Sequence, residues 1–175
     1  HHLHNVAGLA VALTEMLEFG KDYHKSVIEN AKALGEALSD LGLKVLMEHK
    51  GFTESHQIVV DITEFEKTIG LGGDIEKLLE EANIILNRNL LPYDIAQGRH
   101  YKNPGGLRMG TSEVTRLGMG KSEMKDIAEF FKKLIIEEKD PKKVKNEVAE
   151  FRKDFQEVKY CFQPQNKAYE YLKFY

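Results

Sequence analysis

The sequence predicts an α/β fold: a small, mainly antiparallel sheet covered on one face by helices. A long N-terminal linking helix leads into it, and a helical C-terminal extension follows. Two observations carry this expectation. Apolar residues recur at helical spacing towards both ends of the 175-residue chain, and short β-branched runs with alternating polarity occupy the middle. The resulting order is helix, helix, strand, strand, helix, strand, strand, helix, helix, which suits a sheet with helices layered on it.

Each element has its own signal. Residues 3–18, "LHNVAGLAVALTEMLE", are apolar on most sides, as in a helix buried all round or packed between two bodies. After "FGKDY", residues 24–41 form a second helical pattern through Val27, Ala31, Leu34 and Leu38, and Gly42 is placed to end it. "LKVLME" (43–48) and "SHQIVVDI" (55–62) read as strands. "GLGGD" reads as a loop before a short helix, "DIEKLLEEAN", with Asp74 near its start. "IILNRNLLPYD" begins as a buried strand and leaves through Pro92. A polar loop leads to the strand "LRMGT" and the turn "SEVTRLGMG". "KSEMKDIAEFFKKLIIEE" is an amphipathic helix, and Pro141 opens another to about residue 158, before a tail of weak periodicity. The expected divisions are 1–41 as helical linker, 42–138 as small α/β domain and 139–175 as helical extension. A helical pattern that starts at once, with no initiator Met, reads as a piece whose N-terminal portion lies outside the sequence.

Composition narrows the function classes. Hydrophobic residues make up 42% and charged residues 30%, with a formal net charge of -3. That balance argues against general nucleic-acid binding, which wants a basic surface. No apolar run reaches the ~18 residues of a membrane span. The single cysteine, Cys161, excludes an internal disulfide framework and fits a reducing cytoplasm. No metal-ligand spacing is evident.

Residues 103–120, "NPGGLRMGTSEVTRLGMG", hold the most informative side chain. In a strand, Leu107 and Met109 share one face, while Gly106, Arg108 and Gly110 share the other. Glycines at i−2 and i+2 leave space around the guanidinium, whose planar fork suits bidentate capture of a carboxylate or phosphate. The other reading is a buried Arg paired with an Asp or Glu of its own chain. Spacing alone leaves both open.

"GGLRMGTSEVTRLGM" resembles the C-terminal signature of serine hydroxymethyltransferase, a pyridoxal-phosphate enzyme of the aspartate-aminotransferase fold type. "EANIILNRNLLPYD" and "SHQIVVDI" are similar to two further family segments, and "LHNVAGLAVALTEM" with "NAKALGEAL" resembles the long helix into the small domain. The four matches are in family order and run from about residue 3 to about residue 138. "SEVTRLGM" departs from the usual signature: Leu117 stands where most members have Arg before Gly118, and Arg116 sits one residue earlier. This variant resembles the archaeal branch.

The resemblance implies interconversion of serine and glycine, with one carbon passed to tetrahydrofolate or tetrahydromethanopterin, in a cytoplasmic homodimer using pyridoxal 5'-phosphate. It implies that Arg108 binds the substrate carboxylate, that Asn89 touches the pterin with Pro92 shaping the same loop, and that His56, Thr111 and Arg116 are active-site neighbours. From its strand position alone, His56 reads as a satisfied core histidine. The Schiff-base lysine and the large cofactor domain precede the matched residues in the family, so this chain is expected to bind no cofactor and to catalyse nothing by itself. Two rival readings remain: the small domain of another enzyme of the same fold type, such as an aminotransferase or aldolase, and a non-catalytic interaction module.

Overall fold

In the computed structural model, residues 2–163 are described. The expected α/β arrangement is present: four antiparallel strands in the order β1-β2-β4-β3, with helices packed on one face.

Helix α1 spans Leu3–Asp40 as one continuous helix of 38 residues, not the two expected from the "FGKDY" interruption. A lone glycine costs a helix only about 1 kcal/mol, and Gly20 is buried inside it. Val27, Ala31, Leu34 and Leu38 face the core as their spacing predicts. Gly42, at φ +94°, ends the helix, and the Leu43 amide donates back to the Leu38 carbonyl at 3.0 Å.

The N-terminal part of α1 corrects the sequence expectation more sharply. Residues 2–14 are all exposed, so no side of this stretch packs on the sheet. Leu3, Val6, Leu9, Val11, Leu13 and Leu17 are between 55% and 88% exposed.

Strand β1 (Lys44–Val45) is shorter than expected because Met47 turns the chain at φ 61°. Strand β2 (Gln57–Asp61) lies within its predicted run. Helix α2 (Gly72–Glu81) starts earlier than expected, so "GG" is its first turn and not part of a loop. The reason is contact: a Cβ on Gly72 would lie 2.8 Å from the Pro104 carbonyl oxygen, and one on Gly73 2.5 Å from that of Lys102. Strand β3 is Asn87–Asn89, on the sheet edge. The apolar "IIL" before it is not the buried strand expected, since Ile85 is 88% exposed.

Strand β4 (Gly106–Gly110) pairs with β2 on one side and β3 on the other. Helix α3 (Ser112–Arg116) replaces the expected turn. Helix α4 (Lys121–Phe131) runs into a π-helical turn at Lys132–Ile136, and helix α5 (Pro141–Arg152) starts with Asp140 accepting from the Lys142 amide. Helix α5 ends sooner than the expected residue 158 because the chain folds back: Phe155 packs on Phe151, and Arg152 donates to the Phe155 carbonyl. The tail beyond residue 163 lies outside the described residues.

The core lies between the sheet and helices α1, α2, α4 and α5. Ile58, Val60, Leu107 and Met109 supply the sheet's inner face. Each large apolar side chain buried here contributes roughly 1.5–3 kcal/mol. The opposite face carries Gln57, Val59, Asp61, Arg108, Asn87 and Asn89 by strand alternation.

A contiguous apolar stripe of the kind on α1 marks an interaction site. This stretch of chain, prepared by itself, is expected to self-associate in sedimentation experiments at micromolar concentration. Replacing Leu9 and Leu13 by Glu should restore the monomer without lowering the melting temperature. A monomeric unmodified chain would show that the stripe finds cover within its own domain.

Candidate functional site

Arg108 projects from the middle of β4 on the sheet face turned away from the core. Its cross-strand neighbours are Val59 of β2 and Asn87 of β3. Its Nη2 donates to Asn87 Oδ1 at 3.2 Å. Among the described residues no Asp or Glu forms an ion pair with it, so the reading of an internally neutralised Arg is not what the structure shows.

Of the flanking glycines, Gly106 has a reason other than the clearance inferred from spacing, and Gly110 has none. A Cβ on Gly106 would lie 2.7 Å from Leu91 Cδ2 and 2.8 Å from the Asn89 carbonyl oxygen. Gly106 therefore lets the 89–91 segment close onto β4. A Cβ on Gly110 would meet His56 Cδ2 at 3.4 Å, which is ordinary contact.

Asn89 sits opposite Gly106 and donates from its amide nitrogen to the Leu90 carbonyl at 2.8 Å. The turn after it is held by the buried Asp94, whose Oδ2 accepts from the Leu91 and Gly105 amides, each at 2.8 Å. Arg99 bridges Asp94 to Glu66 from the outer side.

His56 corrects the sequence reading of a core histidine: it is exposed, just before β2. Its carbonyl accepts from the Thr111 amide at 3.0 Å. Thr111 is buried, and its hydroxyl donates to the Val27 carbonyl at 2.9 Å, fastening the end of β4 to α1. Arg116 pairs with Glu15 at 2.6 Å and lies over the Tyr23 ring, so it ties α3 to α1. Of the five residues singled out from sequence, Arg108 and Asn89 share the outer face, His56 flanks the end of β4, and Thr111 and Arg116 bind α1.

Sequence reasoning missed Asp61. It lies on the same face as Arg108, two residues along from Val59, and is only 1% exposed. Lys44 donates to its Oδ2 at 2.6 Å, and the Tyr93 hydroxyl donates to the same oxygen. Its Oδ1 accepts from the Thr63 amide at 3.0 Å and hydroxyl at 2.7 Å. Burial alone would push this carboxyl up, but the donors from Lys44, Tyr93 and Thr63 outweigh it and hold the pKa at about 2. Burial and the bond to Asp61 push the Tyr93 phenol up. The Asp61 bond likewise raises the Lys44 ammonium. The available signal was a lone Asp ending an apolar strand and a Tyr in "LPYD".

The outer face can therefore hold an anion at Arg108. The lysine on this face, Lys44, is engaged by Asp61, and the described residues show no cluster of metal-ligating side chains. No helix among them is long and apolar enough to cross a membrane.

Comparison with known proteins decides the family. The family model described as serine hydroxymethyltransferase matches residues 1–131. The chain belongs to the serine hydroxymethyltransferase family. It is 57% identical to the serine hydroxymethyltransferase of Korarchaeum cryptofilum over 171 residues, covering 98% of this chain and 38% of that protein. It is 50% identical to that of Methanocaldococcus jannaschii, covering 100% of this chain and 40% of that protein. These archaeal relatives agree with the branch suggested by "SEVTRLGM". Among solved structures it resembles an L-threonine transaldolase from Pseudomonas fluorescens, with a TM-score of 0.72 and 30% identity over 87% of this chain and 33% of the transaldolase. The chain thus spans about two-fifths of the length of the serine hydroxymethyltransferases it matches.

Asp61 gives a pH-dependent test. Its folded pKa lies below the usual 3.8, so its stabilisation is present above about pH 4 and is lost as pH falls through about 2. That difference corresponds to about 2 kcal/mol at pH 7. In urea melts, Asp61→Asn should be less stable than the parent by about this amount at pH 7. The gap should close between pH 4 and 2. A gap that stays constant over this range would assign the loss to packing.

Proposed function

We propose that the whole protein is a serine hydroxymethyltransferase that interconverts serine and glycine and exchanges one carbon with a reduced pterin, tetrahydrofolate or tetrahydromethanopterin. The observation that carries this reading is the Arg108 fork, presented on an outer sheet face with an amide beside it and, among the described residues, no carboxylate against it. When bound by the whole protein, pyridoxal 5'-phosphate supplies the electron sink for breaking a bond at the amino acid's Cα. This chain supplies binding and orientation.

Arg108 donates two parallel N–H bonds to the α-carboxylate. Fixing the carboxylate fixes the rotation of the Cα bonds, and therefore which bond is presented for cleavage. Asn89, at the end of β3 just before the turn pinned by Asp94, meets the pterin. His56 stands at the end of the β2–β4 pair, while Thr111 holds the sheet, and Arg116 holds α3, to α1. Alone, this stretch carries the amino-acid anchor without the cofactor's lysine and turns nothing over. The active form is a homodimer in the cytoplasm, with no nucleic-acid or membrane partner.

The likeness to an L-threonine transaldolase supports a second reading, an aldol-type enzyme acting on a β-hydroxy amino acid without a pterin. Turnover of serine by the whole protein with and without a reduced pterin separates the two. Dependence on the pterin supports the first, and pterin-independent aldehyde transfer the second.

In the whole protein, Arg108→Lys should weaken serine binding far more than a like-charge exchange suggests, because an ammonium cannot form the fork. The expected loss is roughly 2–4 kcal/mol, about 30-fold to 1000-fold in affinity. Serine affinity within about threefold of the parent, well below that expected for a lost charge-assisted pair, would make Arg108 structural.

Asn89→Ala should weaken the pterin and leave serine unaffected. Equal weakening of both in titrations would show that Asn89 shapes its turn and does not meet the ligand.

A further inference from the structure

We propose that Asn87 is a positioning residue for Arg108, and that its being an amide keeps the guanidinium's charge available to an incoming carboxylate. The inference rests on the reading of Arg108 as a carboxylate anchor.

Asn87 and Arg108 are direct cross-strand partners in β3 and β4, so their side chains leave the sheet on the same face. Asn87 Oδ1 accepts from Arg108 Nη2 at 3.2 Å. On the other flank, the cross-strand partner is Val59, which offers no acceptor. The guanidinium therefore has one described polar partner, and that partner is neutral.

The chemistry of that choice is specific. An amide oxygen accepts a hydrogen bond and so fixes the plane of the fork. It does not cancel the charge. A carboxylate in the same place would be ionised at neutral pH and would form an internal charge-assisted pair with the fork. An incoming carboxylate would then have to displace it. An apolar residue would leave the long side chain free to swing, at an entropic cost on binding.

The other carboxylate on this face cannot take the role. Asp61 is two residues beyond Val59, and Lys44, Tyr93 and Thr63 already satisfy both of its oxygens.

The test uses the whole protein with its cofactor and compares glycine with glycinamide, which lacks the carboxylate. Calorimetric titrations are run on the parent, Asn87→Asp, Asn87→Ala and Arg108→Lys, with thermal melts alongside. Asn87→Asp is nearly isosteric and lies on a partly exposed edge strand, so its melting temperature should stay close to the parent's.

Asn87→Asp should weaken glycine by more than about fivefold, as expected when an internal ion pair competes for the fork. It should change glycinamide much less. Asn87→Ala should weaken glycine by about threefold or more, again with glycinamide spared, because the fork loses its guide.

A smaller effect on glycine, or equal weakening of glycine and glycinamide, would overturn the role of Asn87. If Asn87→Asp fails to fold, the same criteria applied to Asn87→Ala decide. Should Arg108→Lys lose glycine while both Asn87 variants keep it, only this inference falls. Retention of glycine by Arg108→Lys would remove the anchor reading itself.

Discussion

The outer sheet face is organised by the full satisfaction of one buried carboxylate. Asp61 shares that face with Arg108, on the neighbouring strand and two residues along. Diagonal cross-strand positions lie about 7–8 Å apart, within reach of an arginine side chain. With spare acceptors, Asp61 would be the natural partner for the guanidinium, and the fork would have no charge to offer. Lys44, Tyr93 and Thr63 prevent this by occupying both oxygens. The same bonds tie β1, the turn after Pro92 and the exit from β2 to one point. One satisfied carboxylate thus helps set both the shape and the charge of the face.

A second set of bonds joins this face to the helical layer. Asn30 is buried in α1 and donates from its amide nitrogen to the Thr115 hydroxyl and the Met119 carbonyl, each at 2.9 Å. Thr115 in turn donates to the Thr111 carbonyl at 2.6 Å, and Thr111 donates to Val27. Leaving one such buried group without its partner costs about 1–3 kcal/mol. The end of β4, α3 and the middle of α1 therefore move as one body.

The fold class was legible because its signals are periodic. Val27 to Leu38 and Gln57 to Asp61 sit where their spacings put them. What failed was local punctuation. Glycines in "FGKDY" and "GLGGD" read as breaks, yet Gly20 lies inside a helix, and Gly72 and Gly73 open one against the distant backbone of Pro104 and Lys102. A glycine that permits close approach cannot be told from one that permits a turn without knowing what approaches. Of the candidate site, the Arg108 fork and the turn after Asn89 were legible as positions, because both lie on continuous segments. Asp61, Lys44 and Tyr93 were not, because they meet only when β1, β2 and a distant turn are brought together.

Helix α1 has a mechanical consequence. Its C-terminal part is embedded in the core and bonded at Val27 to the end of β4, the Glu15–Arg116 pair fastens it again nearer its start, and residues 3–14 stand clear as an arm. At 1.5 Å per residue, Leu3 is about 18 Å from Glu15 along the axis. A tilt of about 5° at the fastened end would carry Leu3 through about 1.6 Å over that length. The helix is thus a lever. Whatever grips its far end gains leverage, through Glu15 and Val27, over α3 and the strand that bears Arg108, and small rotations of the sheet are magnified at the grip.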